Sequence, residues 1–234
     1  MNILAIDTSG PACSAAVSKD GVLIQEIVMN SALTHSETLM PAVERVLAQA
    51  GITVNEVDLF ACVAGPGSFT GVRIGVCACR ALAHAAGKPC VRINALKALA
   101  ASAFGIGGVI CPILDARRQQ VYCAAYRYEG ERLVCVKSDE AMPLTDFIKA
   151  LPENETLYFT GDGVSVHESA IRSIIGDRAV FAPLHMRVLR ASAACYLAGL
   201  DPSEAIPYDR LTPIYLRLPQ AERERNERIT RAKV

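Results

Sequence analysis

The sequence contains one structural unit twice. Near its start an apolar run ends at Asp7, and a second apolar segment leads to a turn at Asp20-Gly21. Just past the middle another apolar run ends at Asp115, and its following segment leads to a turn at Glu129-Gly130. The Asp-to-Gly distance is 14 positions in the first copy and 15 in the second. Two copies are too few for a solenoid, so the repeat predicts two similar lobes with a site in the cleft between them.

The remaining pattern predicts an α/β fold in which each lobe has a mixed sheet and flanking helices. A capping box at Thr34 and Glu37 starts a helix that ends at Gly51, and a buried strand before the glycine-rich loop 65–71 leads to a helix from about residue 72 to 86. Strands interleaved with helices continue past the glycine-rich run 105–108. We expect lobes over residues 1–103 and 104–218, followed by a charged tail, 219–234.

Composition narrows the class of protein. The 234 residues carry no net charge and 51% are hydrophobic, which supplies a proper core but no cationic excess for tight, unaided binding of nucleic acid. The mixed charges of the tail are typical of a solvated segment rather than a nucleic-acid arm. Neither a leader peptide nor a membrane-spanning run is recognisable, so we expect a cytoplasmic protein that does not enter a membrane.

The nine cysteines are predicted to be reduced, buried and structural. Their number is odd, none forms a C-x-x-C pair, and most lie within apolar runs. The four histidines also show no metal-binding spacing, so neither a metal nor another cofactor is expected.

The sharpest motif is the loop from Gly65 to Gly71, between a predicted buried strand and a helix. Three glycines and a proline give it unusual backbone freedom, and a helix N-terminus offers amides to an anion. Two interpretations stay open, an anion site and a tight turn that packs against a neighbouring lobe or subunit. The loop is neither a Walker A motif nor a G-x-G-x-x-G motif, and Ser68 lacks the sequence context of a nucleophile.

The two repeated aspartates suggest phosphate loops, but the two copies differ. Thr8, Ser9 and Gly10 follow Asp7, and such small residues let backbone amides reach an anion. Bulky residues, Ala-Arg-Arg-Gln-Gln, follow Asp115. Half of a two-sided phosphate clamp is therefore missing, and we expect Asp115 to pair with a nearby arginine instead. The small residues of the next helix, including Ala78 and Ala81, predict either deep core or an interface.

These motifs together resemble the TsaB (YeaZ) family of bacterial tRNA threonylcarbamoyladenosine biosynthesis proteins, which is related to the TsaD family. The resemblance runs from residue 2 to about residue 218 and is carried by Ile-Asp-Thr-Ser at 6–9, Thr-His-Ser-Glu-Thr-Leu-Met-Pro at 34–41, Ala-Gly-Pro-Gly-Ser-Phe-Thr-Gly-Val-Arg-Ile-Gly at 64–75, Asp-Ala-Arg-Arg at 115–118 with Val-Tyr at 121–122, and Pro-Ile-Tyr-Leu-Arg at 213–217. The glycine-rich stretch is its most specific part.

The resemblance implies the duplicated actin-like/Hsp70-like ATPase (ASKHA) fold. It further implies a non-catalytic scaffold subunit that is required for threonylcarbamoyl transfer to adenosine 37 of tRNAs reading codons that begin with A. Such a subunit pairs with TsaD, recruits TsaE, meets tRNA only through the complex, and forms a homodimer when alone. The family's catalytic paralogue holds its metal through an H-x-x-x-H pair, whereas here Leu39 lies four positions after His35. The alternative is a stand-alone ATP-dependent phosphotransferase of the same fold.

Two sets of site residues follow from this resemblance and from the motifs. No catalytic residue and no metal ligand is expected. A vestigial nucleotide or anion site is predicted at Asp7, Thr8, Ser9, Gly65, Gly67, Ser68, Thr70 and Gly71. A partner interface is predicted at His35, Leu39, Val43, Val46, Arg73, Ile74, Ala78 and Ala81, with the alternative that both helices bury these side chains within their own lobe.

Overall fold

The computed structural model describes residues 1–31 and 33–217, and the predicted tail lies outside them. Two five-stranded sheets form the framework, with strand orders β3-β2-β1-β4-β5 and β10-β9-β6-β7-β8. In each sheet the first two connections are antiparallel and the remaining strands are parallel to the first strand of the copy. The duplicated unit predicted from the sequence is therefore confirmed, and so is the pair of mixed sheets.

The first sheet is built from the amino-terminal residues: β1 Asn2–Asp7, β2 Cys13–Lys19, β3 Val22–Met29, β4 Leu59–Val63 and β5 Cys90–Ile93. Its helices are α1 His35–Ala50, α2 Phe69–Ala86 and α3 Ala95–Ala101. At the start of α1 the Glu37 carboxylate accepts hydrogen bonds from the Thr34 amide at 2.9 Å and its hydroxyl at 2.6 Å. Gly51 ends the helix with a left-handed φ of 68°, as its sequence position predicts.

The second sheet comprises β6 Val109–Asp115, β7 Gln120–Glu129, β8 Arg132–Pro143, β9 Leu157–Thr160 and β10 Ala179–Phe181. Helices α4 Leu144–Lys149 and α5 Gly163–Ile175 pack on one face of it, and their buried residues form a core with the central strands. A second face joins the opposing lobe in a shared core that includes Ile3, Leu99 and Ile110.

The chain then returns to the first sheet. Helix α6, Ala191–Leu200, lies against β1 and β2, and Glu26 of β3 binds Arg190 and the Ser192 amide at its start. Ile206 pairs with Cys90, and the Ile214 amide donates to the Ala64 carbonyl at 2.7 Å. Residues late in the sequence therefore complete the amino-terminal lobe and end at the cleft.

Some element boundaries differ from the sequence predictions. Helix α2 begins at Phe69 rather than near residue 72, because the Ser68 side chain caps the first turn through the Gly71 amide. Helix α6 lies three residues later than predicted at its start. Cys77 and Cys135 are exposed, so the prediction that the cysteines are buried is wrong for these two and confirmed for the other seven, all nine being free thiols.

Within residues 1–31 and 33–217, none of the helices is both long and apolar enough to cross a membrane.

Candidate functional site in the cleft between the lobes

Two adjoining cavities, of 480 and 460 Å³, occupy the cleft where the lobes meet. Both are lined by the turn Ser9–Pro11 of the first lobe and by Leu114, Asp115, Arg117 and Asp162 of the second. The ends of β1 and β6 therefore face each other across the cleft, as the repeat predicts. The larger cavity reaches Asp7 and an apolar rim, and the smaller one reaches the glycine-rich loop.

Asp7 forms the buried end of the first strand. Its side chain is 1% exposed, and Oδ1 accepts a hydrogen bond from the Ser9 amide at 2.8 Å. Neither its Oδ2 nor the Ser9 hydroxyl has a hydrogen-bonding partner among the described residues. Burial raises the pKa of Asp7 from an ordinary value of 3.8 to about 7, and the nearby Asp162 carboxylate raises it further, against the opposing hydrogen bonds from Ser9.

The glycines of the predicted anion loop allow close packing against the turn that follows Asp7. A Cβ on Gly67 would lie 2.2 Å from the Ser9 carbonyl oxygen, and one on Gly71 would lie 2.0 Å from the Thr8 carbonyl oxygen. The Thr8 hydroxyl donates to the Gly71 carbonyl at 2.7 Å. These contacts are those of a tight turn packed within its own lobe, the second of the two interpretations left open by the sequence.

The loop's own polar groups are largely engaged in this packing. The Ser68 amide donates to the Ser9 carbonyl at 2.7 Å, and the Ser68 hydroxyl accepts from the Gly71 amide at 3.3 Å. Gly65 has a φ of 111°, and a Cβ there would lie 2.6 Å from the Ile214 carbonyl oxygen. Thr70 is exposed in the first turn of α2. The structure thus assembles all the predicted site residues around one turn, but it directs few of their donors into the cleft.

The second repeated aspartate is neutralised locally. Arg117 Nη1 lies 3.5 Å from Asp115 Oδ2, and the Arg117 amide donates to Asp115 Oδ1 at 2.9 Å. The predicted pairing of Asp115 with an arginine is therefore confirmed. Arg117, Arg118 and Gln119 all have left-handed φ values, 63°, 52° and 59°, which hold the bulky turn that replaces a phosphate loop.

Asp162 is a cleft residue that the sequence analysis did not single out. It precedes α5, and its Oδ1 accepts a hydrogen bond from the Asp115 amide at 3.1 Å. Burial raises its pKa, and the neighbouring Asp115 adds to the effect. Its only sequence signal was its position in the turn Gly161–Gly163 after a strand, which did not reveal that it faces Asp7.

The cleft therefore has an acidic floor made of Asp7, Asp115 and Asp162. Carboxylates repel phosphate unless a cation lies between them. Within residues 1–31 and 33–217, His, Cys, Asp and Glu side chains form no group of three or more that could hold a metal ion. The described side chains do not make a binding site for a polyphosphate by themselves.

The predicted partner interface divides into two parts. Leu39, Val43 and Val46 are at most 1% exposed and belong to the core of the first lobe. The expectation that they contribute surface area is corrected, because α1 packs this stripe against its own sheet. His35 is half-buried, and its Nε2 lies 2.9 Å from the Gly10 carbonyl oxygen.

Helix α2 presents the remaining interface residues. Arg73 and Ala81 are exposed, while Ile74 and Ala78 are half-buried, so an accessible stripe of small and basic residues runs along the helix. Its opposite side, with Val72, Val76 and Cys79, lies in the core. Both alternatives for the small residues thus hold on different faces of α2.

Comparison with known proteins agrees with this geometry. Residues 25–206 match the family model TsaD, tRNA N6-adenosine threonylcarbamoyltransferase. The chain is 34% identical to the tRNA threonylcarbamoyladenosine biosynthesis protein TsaB of Bacillus subtilis, over 95% of this chain and 96% of that protein. It is 35% identical to TsaB of Escherichia coli, over 93% and 95% of the two chains.

A solved structure extends the agreement to three dimensions. The crystal structure of a Pseudomonas aeruginosa protein described as similar to peptidase YeaZ superposes with a TM-score of 0.80 at 27% identity, covering 92% of this chain and 99% of that one. The two lobes have the duplicated actin-like ATPase fold. By sequence and by structure, this chain belongs to the TsaB (YeaZ) family of tRNA threonylcarbamoyladenosine biosynthesis proteins.

Proposed function

We propose that this chain is a non-catalytic scaffold subunit in tRNA threonylcarbamoyladenosine biosynthesis. It pairs with TsaD, recruits TsaE and is required for threonylcarbamoyl transfer to adenosine 37 of tRNAs that read codons beginning with A. It acts in the cytoplasm, reaches tRNA through the complex and forms a homodimer when alone. The lobes 1–103 and 104–218 are its two structural units.

The composition of the cleft carries this proposal. In the first copy of the repeat, the glycine loop is filled by the backbone of Thr8 and Ser9. In the second copy, the turn is filled by the side chain of Arg117, paired with Asp115. A phosphotransferase needs amides or a metal where charge develops on the transferred phosphate. The described residues supply an acidic floor in that place, which favours a scaffold over the phosphotransferase alternative.

The exposed stripe of α2 supports the pairing with TsaD. Small side chains such as Ala78 and Ala81 let a second helix approach closely. They lie beside the half-buried Ile74 and the exposed Cys77, so the stripe is apolar enough to be covered. Because TsaD belongs to a family whose model matches this chain, a pseudo-symmetric contact between equivalent helices is the simplest arrangement.

The test is reconstitution of tRNA modification from purified components, with and without this chain. We expect no threonylcarbamoyladenosine without it, and restoration on its addition. The chain alone should show no steady ATP turnover. Turnover that disappears in Asp7→Asn would refute the scaffold role and support the phosphotransferase, and modification at the full rate without the chain would refute its requirement.

A further inference from the structure

We propose that the mouth of the cleft carries a stacking site for single-stranded RNA, formed by Tyr215, Phe69 and Arg73 with the arginines of the facing turn. This inference rests on the proposed function, which places the chain in a complex that acts on tRNA. It adds a direct RNA contact that this chain itself contributes.

Three side chains form a stacked group at the start of α2. The rings of Phe69 and Tyr215 lie 4.9 Å apart at 25°, and the Arg73 guanidinium lies 3.8 Å from the Phe69 ring centre. Arg73 Nε donates to the Tyr215 hydroxyl at 2.9 Å. Tyr215 is nevertheless 41% exposed, so ring surface remains available outside the stack. Such flat aromatic and guanidinium surfaces are those on which unpaired bases stack.

The segment that carries Tyr215 is fixed at both ends. The Ile214 amide binds the Ala64 carbonyl at 2.7 Å in the first lobe. Arg217 Nη1 donates to the Ala116 carbonyl at 2.7 Å in the second lobe. The tyrosine is therefore held across the mouth of the cleft, and little side-chain ordering is needed when a base binds.

Positive charge surrounds this aromatic group. The side chain of Arg117 is 89% exposed, and it lines the same cavity as Phe69. Arg118 is exposed beside it, and neither Arg73 nor Arg118 forms an ion pair with a carboxylate in the described part of the chain. Aromatic rings interleaved with guanidinium groups favour RNA over an apolar partner, since phosphates require cations and bases require flat surfaces.

The acidic floor determines how an RNA strand can lie. Asp7 and Asp162 repel phosphates from the interior of the cleft, so the strand must cross its mouth rather than enter it. The chain as a whole has no net charge, which predicts weak and salt-dependent binding by the isolated protein. This agrees with tRNA being held firmly only in the assembled complex.

The test measures fluorescence anisotropy of a labelled 12-nucleotide single-stranded RNA with the full chain. We expect wild-type binding to weaken with salt. Removing one stacking ring in Tyr215→Ala should weaken it by roughly five- to hundredfold, whereas Tyr215→Phe, which keeps the ring, should stay within about twofold. Arg73→Lys keeps the charge but loses the guanidinium plane, and should also weaken binding.

Matched controls separate this site from general surface effects. Tyr196→Ala removes a tyrosine of similar exposure, 45%, from α6, and Arg45→Gln removes an exposed arginine from α1. Neither should change RNA binding, and thermal melts must show that all variants are folded. Absence of wild-type binding, or Tyr215 and Arg73 variants that bind like wild type, would overturn the inference. Complete displacement of RNA by polyglutamate of equal charge would also overturn it in favour of an acidic peptide.

Reconstituted tRNA modification is measured in parallel. If modification requires the chain while the RNA affinity is insensitive to Tyr215, the scaffold proposal stands and the stacking site is wrong. If modification proceeds without the chain, the scaffold proposal fails, and the anisotropy result still decides whether RNA binds at Tyr215.

Discussion

Replacing Asp7 by asparagine is predicted to reverse its effect on stability between acid and alkaline pH. The folded protein holds this carboxyl with a pKa of about 7, whereas an ordinary aspartate has 3.8. Between these values the folded form keeps a proton that the unfolded form has lost. Stability contributed by this group therefore falls as the pH rises from about 4 to about 7, and it is constant above and below that window.

The size of the effect follows from the shift. A difference of about three pKa units at about 1.4 kcal/mol each gives a penalty of up to about 4 kcal/mol when Asp7 is ionised. Asparagine keeps an oxygen for the Ser9 amide and carries no charge, so it removes the penalty. Near pH 4 the two proteins should be about equally stable, and near pH 8 Asp7→Asn should be the more stable.

Urea unfolding at several pH values measures this difference directly. The two proteins share all other titrating groups, so subtracting their free energies of unfolding isolates Asp7. Asp162 faces the same cleft, and Asp162→Asn should shift the Asp7 transition to lower pH, since a nearby carboxylate raises the pKa of Asp7. A stability difference between wild type and Asp7→Asn that does not vary with pH would refute the reasoning.

Three further results are expected. Gly71→Ala should lower the free energy of unfolding by about 1–3 kcal/mol in urea titrations, because its Cβ would lie 2.0 Å from a backbone carbonyl oxygen; an equally stable variant would show that the loop can relax. A thiol reagent should label Cys77 and Cys135 rapidly in the native protein and the other cysteines only on unfolding, as mass spectrometry would show; early labelling of a buried thiol would contradict the packing. Ala81→Arg should stay folded but lose association with TsaD in size-exclusion chromatography, whereas Val46→Arg should unfold; an Ala81→Arg protein that still binds TsaD would place the interface elsewhere.

Local signals predicted much of the fold. The strand-Asp-strand-turn repeat is read from short-range periodicity, and both sheets follow it closely. The capping box at Thr34 and the glycine at 51 gave the ends of α1 because caps depend only on neighbouring residues. Helix α3 was missed, since its residues 95–101 are nearly all apolar and show no amphipathic period. Its usable signal was Asn94, whose side chain accepts from the amides of Leu96 and Lys97.

Long-range relations were beyond reach of the sequence. The Leu39, Val43 and Val46 stripe has the same pattern whether it faces a partner or its own sheet, and only the packing of α1 decides. Asp162 lies 155 positions after Asp7, and its role in the cleft depends on how the two lobes meet. The return of α6 to the first lobe likewise has no local signature, because it is fixed by contacts such as Glu26 with Arg190.

The two copies of the repeat show how a nucleotide-type cleft can become a binding scaffold without losing its fold. Both keep the strand ending in aspartate, and each fills the space beyond it differently, by backbone close to Gly67 and Gly71 in one and by Arg117 in the other. Filling from both sides leaves Asp7 buried without a partner for Oδ2, a costly state that burial of the neutral acid relieves. The same changes move positive charge from the interior to the mouth, where it is available to a partner or to RNA. Loss of the phosphate clamp and gain of an outer binding surface are thus two results of one rearrangement.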